Sequence, residues 1–171
     1  KISEQYNDNQ GLAALNVNLG IIHFDRGSYD EALKYHETGL ALSEELGNKL
    51  LTCIAIGCIG SVYQAKGDYA KAMDLFIRDL QITEDLGDKQ GTAIALGLMG
   101  ELRLAEGEFE VAEDYLQHNL QLCEELGYRK GIAKTLNALA DIRSYRGDLE
   151  EAIAYYDRAI EISRRINYRL V

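Results

Sequence analysis

Proline and tryptophan are both missing from the 171 residues of this sequence. Because proline interrupts helices, its absence permits long helices, and the 16 glycines must provide turns or close contacts. Only three cysteines occur, and none forms a CxxC pair, so neither a disulfide framework nor a zinc site is predicted. This composition is typical of a protein from a reducing compartment, and we expect a cytoplasmic location.

Basic residues are scarce relative to acidic ones. The chain has 18 Lys and Arg against 28 Asp and Glu, which gives a net charge of −10. Such a chain should repel phosphate backbones and anionic lipid surfaces. No apolar run reaches the roughly 18 residues that a membrane-spanning helix needs, and no secretory signal is recognisable. We therefore expect neither nucleic acid nor a membrane as a partner.

One short motif, an acidic pair followed by Leu-Gly, recurs at intervals of 40 residues. It occupies residues 44–47, 84–87 and 124–127. A fixed period of this size predicts a repeat architecture. The period divides the chain into the tail of a preceding repeat and four further repeats: residues 1–10, 11–50, 51–90, 91–130 and 131–171. We expect a single solenoid domain that is part of a longer array.

Each repeat contains an apolar helix rich in small residues, a glycine turn, and a charged amphipathic helix. The turn glycines are expected to end the first helix in the left-handed conformation: Gly27, Gly67, Gly107 and Gly147. Ser28, Asp68 and Asp148 follow these glycines and are expected to cap the second helix. The short connection predicts an antiparallel helical hairpin. Since the first helices are apolar on nearly all sides, the hairpins are expected to stack on one another.

Several motifs resemble the tetratricopeptide repeat (TPR) family. They include Asn18-Leu19-Gly20 with the stretch from Gly27 to Ala32, and Ile59-Gly60 with Gly67, Ala72 and Phe76. The 40-residue period is similar to that of LGN/Pins-type G-protein signalling modulators and bacterial regulatory arrays. The usual proline is missing, and Asp79 and Asn119 replace a small residue. The resemblance implies an all-α fold, a right-handed α-solenoid of stacked helical hairpins (TPR superhelix).

Residues that could carry chemistry show no pattern typical of a catalytic or metal site. His23, His36 and His118 occupy different positions of their repeats, so their side chains should not converge. Cys53 and Cys123 stand in columns of otherwise small residues, which favours a packing role. The sequence shows neither a nucleophile–base pair nor a glycine-rich phosphate loop. We expect no enzymatic activity, no cofactor and no bound metal.

The recurring acidic pairs could be cation sites or part of a solvated surface. A basic residue follows the second acid of each pair after four positions, as Lys49 follows Glu45 and Arg129 follows Glu125. This spacing favours local ion pairs worth a few tenths of a kcal/mol. We therefore favour a solvated face.

The resemblance also implies a binding surface, because the first helices of tetratricopeptide arrays line a concave groove. Four columns of this sequence would face that groove, and they change from apolar in the first repeat to polar and acidic in the last. Together with Asn18, which lies beside these columns, the predicted groove residues are Ala14, Val17, Ile21, Phe24, Ile54, Gly57, Ser61, Gln64, Ile94, Gly97, Glu101, Leu104, Lys134, Asn137, Asp141 and Ser144.

The predicted function is protein–protein recognition by a scaffold that binds a peptide or helix of a partner. We expect the partner to have apolar anchors, with basic residues near Glu101 and Asp141, and Gly57 and Gly97 to leave room for its backbone. A carboxylate clamp is not supported, since only Lys134 would supply a positive charge to the groove. The alternative is a sensor or regulatory arm of a larger signalling protein, such as a transcription regulator or NTPase. Its groove would receive an internal segment or a small effector.

Overall fold

The computed structural model describes residues 2–166, and in this range the chain forms eight α-helices and no strand. The helices are α1 (Ile2–Asp25), α2 (Tyr29–Glu45), α3 (Lys49–Ala65), α4 (Tyr69–Leu86), α5 (Lys89–Glu106), α6 (Phe109–Leu126), α7 (Arg129–Arg146) and α8 (Leu149–Arg165). They form two compact units that divide after Leu86, with α1 to α4 in the first unit and α5 to α8 in the second.

Each unit consists of two stacked helical hairpins. In the first unit α1 pairs with α2 and α3 pairs with α4; in the second, α5 pairs with α6 and α7 with α8. The second helix of one hairpin packs on the first helix of the next, as α2 does on α3 and α6 on α7. The first helices also lie side by side within a unit. The predicted all-α architecture of stacked hairpins is thereby confirmed.

Residues 2–10 are helical and continuous with α1. Their assignment to the tail of a preceding repeat, and the division of the chain at the 40-residue period, stay predictions.

Left-handed glycines end the helices. Seven glycines have φ between 63° and 87°, a conformation that costs glycine little because it lacks a Cβ. They are the four predicted turn glycines and the three of the Leu-Gly motif: Gly27, Gly47, Gly67, Gly87, Gly107, Gly127 and Gly147. The amide after the glycine closes the turn, as Ser28 N does on His23 O at 2.9 Å.

Only one of the three predicted caps forms, since Asp68 Oδ1 accepts the backbone amide of Lys71 in α4 at 3.3 Å. Ser28 and Asp148 make no side-chain cap hydrogen bond, so these two expectations were wrong. Glu151, which could have completed a capping box with Asp148, pairs with an arginine of α7 at 3.0 Å. Asn48 and Asp88 instead cap α3 and α5, and the Asp88 carboxylate accepts two backbone amides at 3.0 and 3.1 Å.

Within each of the first three hairpins a glycine of the first helix faces a large side chain of the second. A Cβ at Gly60 would lie 2.4 Å from Cε1 of Phe76, and one at Gly100 would lie 2.7 Å from Cγ of Leu116. Phe76 and Leu116 are fully buried. These glycines therefore let the two helices of a hairpin approach closely, as the column of small residues predicted.

His36 takes this position in the first hairpin, where it packs against Gly20. The imidazole is buried, and its Nδ1 has no hydrogen-bond partner within the described part of the chain. Burial lowers the pKa of His36 from its ordinary value of 6.5, because a desolvated imidazolium is disfavoured. His36 is therefore neutral in the folded protein near neutral pH.

Replacing His36 with phenylalanine, the residue at the equivalent position of α4, should reduce the sensitivity of the fold to acid. As pH falls through 6.5, the unfolded wild-type chain takes up a proton that folded His36 resists, so the free energy of unfolding falls. His36→Phe removes this proton uptake. Urea unfolding at about pH 7.5 and 5.5 measures the difference. The exposed His118→Gln is the control, and an equal pH dependence of the wild type and H36F would contradict the assignment.

Candidate functional site

The predicted groove residues all lie on the first helices of the hairpins, nine on α1 and α3 of the first unit and eight on α5 and α7 of the second. Ile21, Ile54 and Ile94 are exposed. Ile21 and Ile54 expose apolar surface on α1 and α3 of the first unit, and Ile94 does so on α5 of the second. Because α1 adjoins α3 and α5 adjoins α7, each unit presents its own combined face.

Four predicted groove residues are buried or contribute to packing within the chain. Gly57 is buried within α3, so it was wrongly predicted to leave room at the surface for a partner. Val17 is buried, and its Cγ2 would lie 2.8 Å from a Cβ at Gly39 of α2. Phe24 packs on Tyr29 across the first turn, with ring centroids 5.7 Å apart. Leu104 packs against the buried core between α6 and α7. Val17 was therefore wrongly predicted to be a surface residue, and Phe24 and Leu104 are only partly available to a partner.

The second unit contains a cavity of about 350 Å³ on the predicted face. Four predicted residues line it, namely Ile94, Gly97, Glu101 and Lys134. Six further lining residues were not predicted: Leu98, Asn119, Tyr128, Lys130, Gly131 and Thr135. The structure therefore places part of the predicted α5 and α7 columns around one concavity. Asn137, Asp141 and Ser144 lie on α7 and do not line it.

A buried asparagine contributes to the lining of this cavity. Asn119 of α6 donates its Nδ2 to the carbonyl of Ala93, and its Oδ1 accepts a hydrogen bond from the hydroxyl of Thr135. A Cβ at Gly97 would lie 3.1 Å from Asn119 Nδ2. The missing side chain at Gly97 thus accommodates Asn119. Buried amides with satisfied hydrogen bonds hold neighbouring helices in one arrangement, so the network fixes α5, α6 and α7 around the cavity.

The two acidic residues expected to attract a basic partner are already engaged in the free protein. Lys134 Nζ lies 2.7 Å from Glu101 Oε1. Tyr156 donates its hydroxyl to Asp141 Oδ1 at 2.5 Å, and this hydrogen bond raises the pKa of Tyr156 to about 12. A basic group of a partner would have to compete with Lys134 or Tyr156 for these carboxylates.

Two of the three recurring acidic pairs carry an ion pair to the next hairpin. Glu44 at the end of α2 pairs with Arg78 of α4 at 2.5 Å, and Glu124 of α6 pairs with Arg158 of α8 at 2.6 Å. Glu125 faces Lys89 at 3.8 Å, where Arg129 was expected. The first acid of two pairs thus links successive hairpins, whereas Glu125 contacts Lys89 of its own hairpin. In the range 2–166 no three His, Cys, Asp or Glu side chains are grouped to hold a metal ion.

The thiols of Cys58, which is half-buried, and Cys123, which is buried, are not activated. Burial, with a smaller effect of the nearby Asp79 charge, raises the pKa of Cys58 to about 11. Burial, with a smaller effect of Glu124, raises the pKa of Cys123 to about 11. Both side chains are therefore protonated thiols at neutral pH, whereas a nucleophilic cysteine must be a thiolate. None of the helices between residues 2 and 166 combines the length and apolar character needed to cross a membrane.

Comparison of the sequence with protein families finds tetratricopeptide repeats in three overlapping segments, residues 11–85, 51–118 and 91–165. Since these segments cover most of the chain, the protein belongs to the tetratricopeptide repeat family, whose members are in general protein-interaction scaffolds. The narrower similarity to LGN/Pins-type arrays stays a prediction. No match is found among curated proteins.

Several solved structures share the fold. Aspartyl phosphate phosphatase F from Bacillus subtilis matches with a TM-score of 0.84 and 12% identity, over 93% of this chain and 42% of that one. BtubC from P. vanneervenii matches with a TM-score of 0.75 and 18% identity, over 94% and 66%. The apo form of RapI matches with a TM-score of 0.79 and 15% identity, over 92% of this chain and 57% of that one. The chain thus spans about two fifths to two thirds of these structures, and at such identities they establish the fold alone.

Proposed function

We propose that this protein is a recognition scaffold in which the first-helix faces of the hairpins bind a peptide or helix of a partner. The observation that carries the proposal is the cavity on α5 and α7, where predicted face residues surround a concavity beside the exposed Ile94. Protein sites for ligands are concave, largely apolar, and contain a few fixed polar groups. Ile94 and Leu98 supply the apolar part, and Asn119, Glu101 and Lys134 supply the polar part.

The cavity is suited to an apolar side chain of the partner. Its volume of about 350 Å³ is near the lower end of the range of ligand sites, about 300–1,000 Å³. It therefore suits one or two side chains rather than a large cofactor. The apolar side chain would pack against Ile94 and Leu98, and each Å² of apolar surface removed from water contributes about 25 cal/mol.

A basic side chain of the partner would compete with Lys134 for Glu101. Lys134 is about half exposed, with 52% of its side-chain surface accessible. Exposed ion pairs contribute only about 0–1 kcal/mol, so the displacement costs little. The proposed partner therefore combines an apolar anchor with a basic residue.

Ile94→Asp should weaken binding of such a peptide at least about tenfold, because a charge replaces the apolar wall of the cavity. Random peptides displayed on phage are selected on the wild-type chain, and affinities of the enriched peptides are measured by calorimetry. Ile77→Asp is the matched control, since Ile77 is similarly exposed (40%, against 43% for Ile94) but lies on α4. Equal losses in both variants would contradict the site.

Two further substitutions test the charge of the partner, because each should either tighten or weaken its binding. Lys134→Met should tighten binding of a basic peptide because it leaves Glu101 unpaired, and Glu101→Gln should weaken it. The reverse signs would indicate an acidic partner. If no peptide is enriched, the alternative hypothesis of a regulatory arm, with the groove filled by an internal segment, becomes the better explanation.

A further inference from the structure

An apolar stripe on α1 is exposed. It consists of Leu12, Leu15, Leu19 and Ile22, whose exposed fractions lie between 40% and 59%. The spacing of three and four residues places all four side chains on one side of the helix. The stripe is separate from the predicted binding columns of α1.

Equivalent stripes on other first helices are buried. Forty residues later on α3 they are Thr52, Ala55, Ile59 and Val62, and on α7 they are Ile132, Thr135, Leu139 and Ile142. The second helix of the preceding hairpin covers them. Ser43 of α2 is hydrogen-bonded to Thr52 of α3 at 3.0 Å, and Leu139 packs in the same cluster as Leu116 of α6. The α1 stripe is thus the surface that normally receives a second helix.

Helix α8 exposes apolar residues at the positions that face the next hairpin in the second helices α2 and α6. Leu149, Ile153 and Ile160 are exposed by 40–60%. The equivalent residues of α2 and α6, which pack on a following first helix, are only intermediate in exposure: Tyr29, Leu33, Leu40, Phe109, Glu113 and Leu120. Ile153 and Ile160 therefore stand at positions that elsewhere in the chain contact another hairpin.

Charges at the ends of these helices are also complementary. Within each unit an ion pair joins the end of a first helix to the start of the preceding second helix: Lys66 with Asp30 at 2.5 Å, and Arg146 with Glu110 at 3.2 Å. The residue of α1 equivalent to Lys66 is Arg26, and the residue of α8 equivalent to Asp30 is Glu150. A contact of the same kind between α8 and α1 would bring opposite charges together.

We propose that α8 of one copy of this chain packs on α1 of a second copy, in the antiparallel arrangement that joins α2 to α3. In that register Ile160 meets Leu15, Ile153 meets Ile22, and Glu150 meets Arg26. Leu15 is bulkier than Ala55, its equivalent on α3, so this contact is wider than the internal one and buries more apolar surface. The two copies contribute different surfaces, so the contact is heterologous and further copies can add.

Two complementary variants test the contact by sedimentation equilibrium. The wild-type chain should show concentration-dependent association. Leu15→Glu damages only the α1 surface and Ile153→Glu only the α8 surface, so each should associate at least about tenfold more weakly. A mixture of the two should form a 1:1 dimer, because one intact surface of each kind remains. Circular dichroism verifies that both variants keep their helical content.

The proposed ion pair between Arg26 and Glu150 provides a second test of the contact. Arg26→Glu and Glu150→Arg should each weaken association, and the double variant should restore part of it. Val111→Glu is the control, since Val111 is exposed on α6 at a position where other repeats carry Glu31 and Glu151. The proposal would be overturned by a wild-type chain that stays monomeric, or by a mixture of the Leu15 and Ile153 variants that forms no dimer. It would also be overturned by a longer natural polypeptide in which an added repeat covers α1 and abolishes association. Peptide binding by the monomeric variants tests the proposed function separately.

Discussion

Replacing Phe76 with alanine is expected to lower the free energy of unfolding by about 3–5 kcal/mol. Phe76 is fully buried, and its ring fills the space that Gly60 leaves on the facing helix. Gly60 has no side chain that could move into the vacated volume, so the site can collapse only by moving the helix backbones. The cost of a large-to-small change increases with the cavity that remains.

Gly60→Ala tests the same contact from the opposite side. In the wild type its Cβ would lie 2.4 Å from the Phe76 ring, and overpacking of this kind costs about 1–3 kcal/mol. In the Phe76→Ala background the added methyl group enters the cavity, so the same change should be neutral or stabilising. Urea unfolding followed by circular dichroism gives the coupling between the two sites.

Gly11→Ala is the matched control for the glycine change. Gly11 is exposed within α1, and a Cβ there would have no neighbour within 4 Å. Its replacement should therefore raise the free energy of unfolding by about 0.5–1 kcal/mol. If Gly60→Ala lowered the free energy of unfolding equally with and without Phe76, that result would show that the aromatic ring does not occupy the space into which the methyl group projects.

Asn119→Asp should destabilise the second unit by about 1–3 kcal/mol at neutral pH. The carboxylate can still accept the hydrogen bond from Thr135, but it has no N–H to donate to the Ala93 carbonyl. It also places a charge at a buried position, and burial raises the pKa of a carboxyl group.

The pH dependence identifies the cause of this loss. A carboxyl group whose pKa is higher in the folded than in the unfolded protein binds more protons when folded, so part of the lost stability should return as pH falls. Urea unfolding of N119D at about pH 7 and 5 measures this. Asn18→Asp, at an exposed position of α1, is the control and should change little. A loss that does not depend on pH would assign the effect to the missing hydrogen bond alone.

The hairpins could be predicted from the sequence because they depend on features that recur locally. Left-handed glycines require no partner from elsewhere in the chain, and all four predicted turn glycines have a positive φ. The small residue at position 60 and the large residue at position 76 also recur at a fixed distance within each repeat. A column of small residues opposite a column of large ones therefore predicted close helix packing.

The cavity could not be predicted because it depends on residues that differ between repeats. Asn119 reaches the backbone of Ala93 in another helix, and no equivalent asparagine occurs in the other repeats. One signal was nevertheless present. Where the first helix of a repeat carries a large residue, the facing residue of the second helix is small, as Val17 and Gly39 show. Where the first helix carries glycine, the facing residue is larger, as Gly97 and Asn119 show. Compared as pairs, these columns indicate that Val17 points inward.

The left-handed glycines fall at every twentieth residue from Gly27 to Gly147. Each of the helices α2 to α8 has 17 or 18 residues, which is about five turns, so equivalent side chains of successive repeats face the same direction. One residue inserted within a helix would rotate all later side chains by about 100°. An insertion early in α5 would thus turn Ile94 away from the cavity. The chain can accordingly gain or lose whole 40-residue repeats far more easily than single residues.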